Sequence, residues 1–245
     1  MREEYRNTVM FQVSGAYALF ADPITRVGGE KFSYQIPTYE AVKGILQSVY
    51  WKPTIMWVID EMRVMNPIQT ETKAIRPIHY NGGNELSYYT YLKDVCYQIR
   101  AHFVWNENRP ELAQDRNEHK HHNIARRMIE RGGRRDIFLG TRECQGYVEP
   151  CVFGEGRGWY DETPGELALG FMYHGITYAD EAVLEEDRGR MTVRFWRPVM
   201  QQGYVSFPPP EACKEKRHIH AMEIKQFTGQ NCSGFREFEK EGDRE

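Results

Sequence analysis

A chain of 245 residues with 40% hydrophobic content is long enough for one large or two small domains with a real core. Its formal net charge of −3 argues against a protein that grips nucleic acid by bulk electrostatics, and it contains no apolar run of membrane-spanning length. Five cysteines, Cys96, Cys144, Cys151, Cys213 and Cys232, form no Cys-x-x-Cys pair, and the charged start Met1-Arg2-Glu3-Glu4 lacks a signal-peptide core. Both features point to a reduced, cytoplasmic chain without structural zinc.

In chain order, Val9, Phe11 and Val13 alternate with polar neighbours and predict a first strand ending at Gly15. A loop with turn signals over 22–31 follows, and its Arg26 and Lys31 could lie over a ligand. Thr38 is the expected N-cap of a helix with Val42, Ile45, Leu46 and Val49 on its inner face, stopped by Pro53. Residues 55–59 and 63–65 read as one long or bulged strand, and 95–105 as another, with an irregular insertion between them. A helix over 111–131 comes next. Residues 137–139, 147–148 and 151–153 then return the chain to the sheet. The order β-α-β-β-α-β is the ferredoxin-like arrangement of an α+β fold, with two helices on one face of an antiparallel sheet.

The second helix carries the chemistry. Asp115 and Glu118 fit a capping box, Ile124, Ala125, Met128 and Ile129 form an apolar stripe, and Gly132-Gly133 supplies the stop. Lys120 and His121 therefore sit near a helix N-terminus, where unpaired N–H groups and the helix dipole favour anions. Between Arg116 and Arg142, eight basic residues face three acidic ones, a local excess of +5 in an acidic chain. Arg116, Arg126, Arg127, Arg134 and Arg135, with Arg26 and Lys31, are the expected contacts to a nucleic-acid backbone, the plain alternative for such a run being a solvated helix face.

After residue 155 short strands at 167–173, 190–196 and 204–207 predict a β-rich module over 156–210, following the 1–155 domain. Pro208-Pro209-Pro210 closes it, and a charged, mobile tail is expected over 211–245. Gly154-Glu155-Gly156-Arg157-Gly158 resembles a dinucleotide loop only superficially, because residues 159–164 cannot start the required helix. A metal site built from His119, His121 and His122 with His79 or His174 is disfavoured, since adjacent helical residues diverge and no HExxH pattern occurs. His218 and His220 read as solvent-exposed.

RNA cleavage by the ribose 2′-hydroxyl is the chemistry these residue types suit. It needs a base, a cation for the phosphorane and an acid for the leaving 5′-oxygen. A histidine and a lysine at a helix N-terminus supply two of these, and a tyrosine whose phenol is acidified by the lysine would complete the set. Composition alone does not choose that tyrosine among fifteen. Without further information Tyr50 reads as core packing, Lys120 as a surface lysine and His121 as a helix-terminus residue.

Four segments in order resemble the pre-crRNA endoribonucleases of CRISPR subtype I-C, the d-type branch of the fifth Cas family within the RAMP superfamily. They are 17–31, Tyr50-Trp51-Lys52-Pro53-Thr54, Asp115-Arg116-Asn117-Glu118-His119-Lys120-His121, and Gly132-Gly133-Arg134-Arg135-Asp136-Ile137-Phe138-Leu139-Gly140. The similarity spans roughly residues 8–210. It implies a ferredoxin-like (RRM/RAMP) domain with a β-rich C-terminal extension. It also implies metal-independent, cofactor-free cleavage of CRISPR repeat RNA, with retention of the crRNA in a type I-C Cascade effector complex that meets target DNA. The family's catalytic tyrosine, lysine and histidine fall on Tyr50, Lys120 and His121, with His119 and His122 flanking the pair as a departure from the family pattern. A non-catalytic subunit that holds the crRNA handle is the alternative, and a metal-dependent nuclease a weaker one. Tyr173 and Trp196 are the expected exposed anchors for other subunits.

Overall fold

The computed structural model describes residues 7–23, 29–77, 82–83 and 86–224. Arg26, His79 and Cys232 lie outside the described residues. Strand β1 (Val9–Ala18) runs past Gly15, which has to remain without a side chain: a Cβ there would meet Leu139 Cδ1 at 2.6 Å and the Gln145 carbonyl oxygen at 2.9 Å. A short β2 (Lys31–Phe32) follows, then helix α1 (Tyr39–Val49), capped as expected by Thr38, whose hydroxyl accepts the Ala41 N–H at 3.1 Å. The helix stops ahead of Pro53, at Tyr50, which is already extended.

Strand β3 (Ile55–Val64) is the expected bulged strand, its register slipping between Ile59 and Glu61. The region read as an irregular insertion instead forms β4 (Thr70–Ile75), paired antiparallel with the first half of a long β5 (Ser87–Trp105). Its sequence, Thr-Glu-Thr-Lys-Ala-Ile, has little apolar alternation because one face is exposed and the other only half-buried, with Ile75 alone packing against the core. Asp94, with φ 49°, marks the junction of this hairpin with the central half of β5.

The expected helix over 111–131 is divided. Pro110–Asp115 is a 3-10 turn, and α2 (Glu118–Glu130) starts afresh at Asn117, whose side chain accepts the Lys120 N–H at 3.0 Å. Asp115 is therefore not the N-cap. The stop is as expected: the Gly133 N–H reaches the Met128 carbonyl at 2.8 Å and the Gly132 N–H that of Ile129 at 3.0 Å, with Gly132 at φ 79°.

Strands β6 (Ile137–Phe138) and β7 (Gln145–Pro150) return the chain to the sheet, whereas 151–153 is not strand. The mostly antiparallel main sheet has the order β7-β1-β5-β3 at its centre. Helix α1 lies against β3 and β6, α2 against β7 and β1, and the helices touch each other. Phe11, Trp57, Ile59, Ile99, Ala101 and Phe103 face Val42, Leu46, Ala125 and Ile129 in the resulting core.

The remaining strands are β8 (Glu166–Ala168), β9 (Met172–Thr177), β10 (Arg190–Trp196), β11 (Val199–Gln201), β12 (Tyr204–Ser206) and β13 (Glu215–Ala221). They do not form one separate module. β12 pairs with β3 and carries β11 and β8 into the main sheet, while β13-β10-β9 form a second sheet. The chain does not leave regular structure at Pro210, because the charged β13 closes an edge against β10. Trp196 is 8% exposed, packed on Phe207 and His174, and Tyr173 is half-buried, so Trp196 is not the surface anchor expected. The glycine loop 154–158 wraps an internal cation: Arg63 donates to the Glu155 and Gly156 carbonyls and pairs with Asp161 at 2.7 Å. No described helix is long and apolar enough to cross a membrane.

Candidate active site at the start of the second helix

The end of α1, the start of β3 and the turn before α2 converge on one point. Tyr50 is the residue after α1, and its carbonyl accepts the Trp57 indole N–H at 2.8 Å, which fixes where the phenol begins. His121, in the first turn of α2, faces inward because it shares a side with Ala125 and Ile129. The Tyr50 hydroxyl and His121 Nδ1 are 2.8 Å apart, and His121 Nε2 is 2.8 Å from the Asp115 backbone carbonyl.

That carbonyl can only accept. The ring proton of neutral His121 is therefore on Nε2, Nδ1 presents a lone pair, and Tyr50 donates to it. Phe103 and Trp105 stand edge-on to the imidazole, with centroids 6.1 and 5.7 Å away. His121 is 0% and Tyr50 4% exposed, so a sugar reaches them only after local opening.

Burial first, and the Asp115 charge second, push the Tyr50 phenol up to about 12, with Arg134 opposing. This reverses the expected lysine-acidified phenol. Lys120 is turned to the Asp115 carboxylate, to which its ammonium donates. Asp115 also accepts the Thr54 hydroxyl at 2.7 Å, and Lys120 and then Thr54 hold its carboxyl below the usual carboxylate range. Tyr50 and His121 are thus brought together, and Lys120 is tied to the same centre through Asp115. Asp115 and Thr54 were not singled out by sequence as site residues. The signal for Asp115 was masked by its resemblance to a helix cap, and a lone threonine after Pro53 carries none.

The expected RNA contacts separate. Arg126 and Arg127 are exposed on α2 and line an open groove with Lys120, Asn123 and Glu130. Arg134 and Arg135 are exposed beside it, their N–H groups both donating to the Ser48 carbonyl at 3.2 Å, at the end of α1 that carries Tyr50. Arg116 is engaged internally, with Glu107 at 2.9 Å and the Asn106 carbonyl at 3.0 Å. Lys31 lies over the Tyr89 ring at 4.7 Å, on the β4–β5 hairpin, on the order of 40 Å along β5 from Phe103. His119 is exposed and His122 Nε2 meets the Thr8 carbonyl at 3.1 Å, so the three helix histidines diverge. Among the described residues no group of three or more His, Cys, Asp or Glu side chains is arranged to hold a metal ion.

Residues 8–208 match the d-type sequence family described as CRISPR-associated protein (Cas_Cas5). A protein of Mannheimia succiniciproducens named CRISPR pre-crRNA endoribonuclease Cas5d is 27% identical over 241 residues, 86% of this chain and 99% of that protein. One of the same name from Thermus thermophilus is 27% identical over 197 residues, 76% of this chain and 78% of that protein. Among solved structures, one described as a CRISPR-associated protein is 35% identical with a TM-score of 0.71. A functionally uncharacterized Streptococcus mutans protein is 37% identical with a TM-score of 0.70. In both cases 86% of this chain covers 96% of the other.

Proposed function

The chain belongs to the Cas5d family of CRISPR-associated proteins, and we propose on that premise that it is an endoribonuclease cutting CRISPR repeat RNA into crRNA. The observation that carries this reading is the 2.8 Å contact from Tyr50 to a tautomerically fixed His121, beside a helix N-terminus and a lysine. The 2′-oxygen forms a bond to phosphorus and the bond from phosphorus to the 5′-oxygen breaks, giving a 2′,3′-cyclic phosphate and a 5′-hydroxyl. Tyr50 keeps its proton at neutral pH, so the hydroxyl proton enters through Tyr50 as that residue hands its own to His121 Nδ1. Lys120 serves the phosphorane charge, and its ammonium gives a proton to the leaving 5′-oxygen, one it regains from solvent while His121 releases to solvent the proton it took from Tyr50. These three residues supply the required services without a metal or cofactor.

We read the run β1-α1-β3-β5-α2-β7, in the sheet order β7-β1-β5-β3, as the ferredoxin-like arrangement of RAMP proteins. By the same family membership the crRNA stays bound within a type I-C effector complex that meets target DNA, and free cysteines at 96, 144, 151 and 213 support a reducing, cytoplasmic setting.

The test is incubation of purified protein with its own repeat RNA in EDTA, alongside RNA with one 2′-deoxy sugar upstream of the cut. Cleavage of the first alone supports the reading, and rapid cleavage of the deoxy substrate overturns internal attack. The burial of Tyr50 and His121 favours a second reading, a subunit that binds the handle without cutting; tight binding with no product would select it.

A further inference from the structure

We propose that Asp115 is the positioning residue of this site, one that holds Lys120 away from the phosphate position until RNA arrives; the inference rests on the cleavage reading. Three hydrogen bonds and one longer charge contact meet at this residue. Its backbone carbonyl accepts His121 Nε2–H and so leaves the Nδ1 lone pair for Tyr50. One carboxylate oxygen accepts from the Lys120 ammonium. The other accepts the Thr54 hydroxyl at 2.7 Å and lies 3.5 Å from His121 Nε2. A short 3-10 turn ahead of α2 thereby sets the tautomer of one candidate catalytic group and the direction of another.

The two halves of the carboxylate act differently. The oxygen near Nε2 offers a negative charge to the imidazole ring, which becomes positive as Nδ1 takes the proton from Tyr50. The oxygen on Lys120 competes with RNA. The Lys120 side chain is 46% exposed and that of Asp115 28%, so their ion pair is a partly solvated one that a phosphate can displace at small cost. Lys120 lies in the first turn of α2, where the helix dipole already favours an anion, and it borders the groove of Arg126 and Arg127. A backbone phosphate entering that groove meets an ammonium already paired and must take it over. The carboxylate, once released, remains tied to Thr54 and still faces His121.

The exchange gives Asp115→Asn an unusual signature. Asparagine keeps the backbone carbonyl and the side-chain shape but removes the charge that holds Lys120. Affinity for non-cleavable repeat RNA, carrying a 2′-deoxy sugar at the cut, should rise severalfold at low salt, and the log–log salt slope should steepen by nearly one unit, as one more lysine contacts phosphate. Single-turnover cutting of the natural repeat should slow at least tenfold, because the positive ring loses its charge partner. A merely structural role would weaken both together. Adding Lys120→Ala to Asp115→Asn should erase the affinity gain, which locates it at that lysine. Thr54→Val, which loosens the carboxylate without removing it, should show the same two signs at smaller size and covers the case in which Asp115→Asn does not fold. Unchanged or weaker binding by the variants, or cutting at the wild-type rate, would overturn the proposal. If the unaltered protein binds repeat RNA but does not cut it, the functional reading fails instead, and the affinity arm still decides whether Asp115 holds Lys120.

Discussion

At the scale of single residues the site is a chain of donors and acceptors with one consistent set of protons: Asp115 carbonyl, His121 Nε2–H, His121 Nδ1, Tyr50 hydroxyl. Tyr50→Phe keeps the buried ring and removes only the hydroxyl. It should therefore lower the single-turnover rate by about 10²–10⁴-fold while leaving RNA affinity nearly unchanged, as measured by filter binding. Lys120→Ala and His121→Ala should slow cutting to a similar extent. Because burial and the Asp115 charge push the Tyr50 phenol up to about 12, the rate between pH 8 and 10 should show no rise from tyrosine ionisation. A pH–rate profile with an added tyrosine-dependent limb there would contradict the proton path. Tyr50, Lys120 and His121 were proposed from the sequence through the family resemblance, and what the structure adds is that Tyr50 meets His121 and that Lys120 joins them through Asp115. Asp115 was visible only as a wrong cap, because a carboxylate three residues before a glutamate looks the same whether it binds a helix N–H or a lysine from the next turn.

At the scale of elements, α2 does two jobs with two faces. Its inner side, His121, Ala125 and Ile129, docks on the sheet, and its outer side offers Arg126 and Arg127. Replacing Arg126, Arg127, Arg134 and Arg135 together by alanine should weaken repeat binding and flatten its log–log salt dependence by up to about four units, near one for each phosphate left without its arginine. An unchanged slope would place the RNA on another surface. The turn that follows is demanding: Gly133 has φ 110°, and a Cβ there would sit 3.2 Å from both the Arg135 carbonyl and Ile137 Cδ1. Gly133→Ala should cost about 1–2 kcal/mol in thermal or denaturant unfolding, since left-handed strain and crowding add. The stripe and the two glycines made this helix legible. The β4–β5 hairpin was not, because β4 exposes one face and only half-buries the other, under mostly polar side chains, and so leaves no period-2 apolar signal.

At the scale of the whole molecule, the two sheets are joined by a buried polar group between α1 and the β9–β10 pair. Arg194, 1% exposed, donates through Nε to His174 Nδ1 at 3.3 Å and lies 3.5 Å from Glu40, while Lys43 meets Glu181 at 2.5 Å. Burial, and after it the Arg194 charge, press the His174 imidazole down to about 3 from its ordinary 6.5. Between those values the unfolded chain binds a proton that the folded one refuses, so His174 makes stability rise with pH across that window and costs a few kcal/mol on acidification through it. Burial raises the Glu40 carboxyl, which acts with the opposite sign just above the ordinary carboxylate range. Thermal unfolding from pH 4 to 7 should accordingly show a falling melting temperature toward acid, and His174→Gln should flatten that slope; an equal slope in the variant would remove His174 as its source. By itself the sequence determined that there are two helices, the cap of the first and the stops of both, the central strands and the family, because these are written in local periodicity and contiguous motifs. Only the tertiary structure decided that β12 extends the main sheet, that Trp196 is inside, that β13 closes an edge, and that Lys120 turns to Asp115. Each of those depends on which distant segment lies opposite, and burial and charge pairing across such separations leave no trace in the order of neighbouring residues.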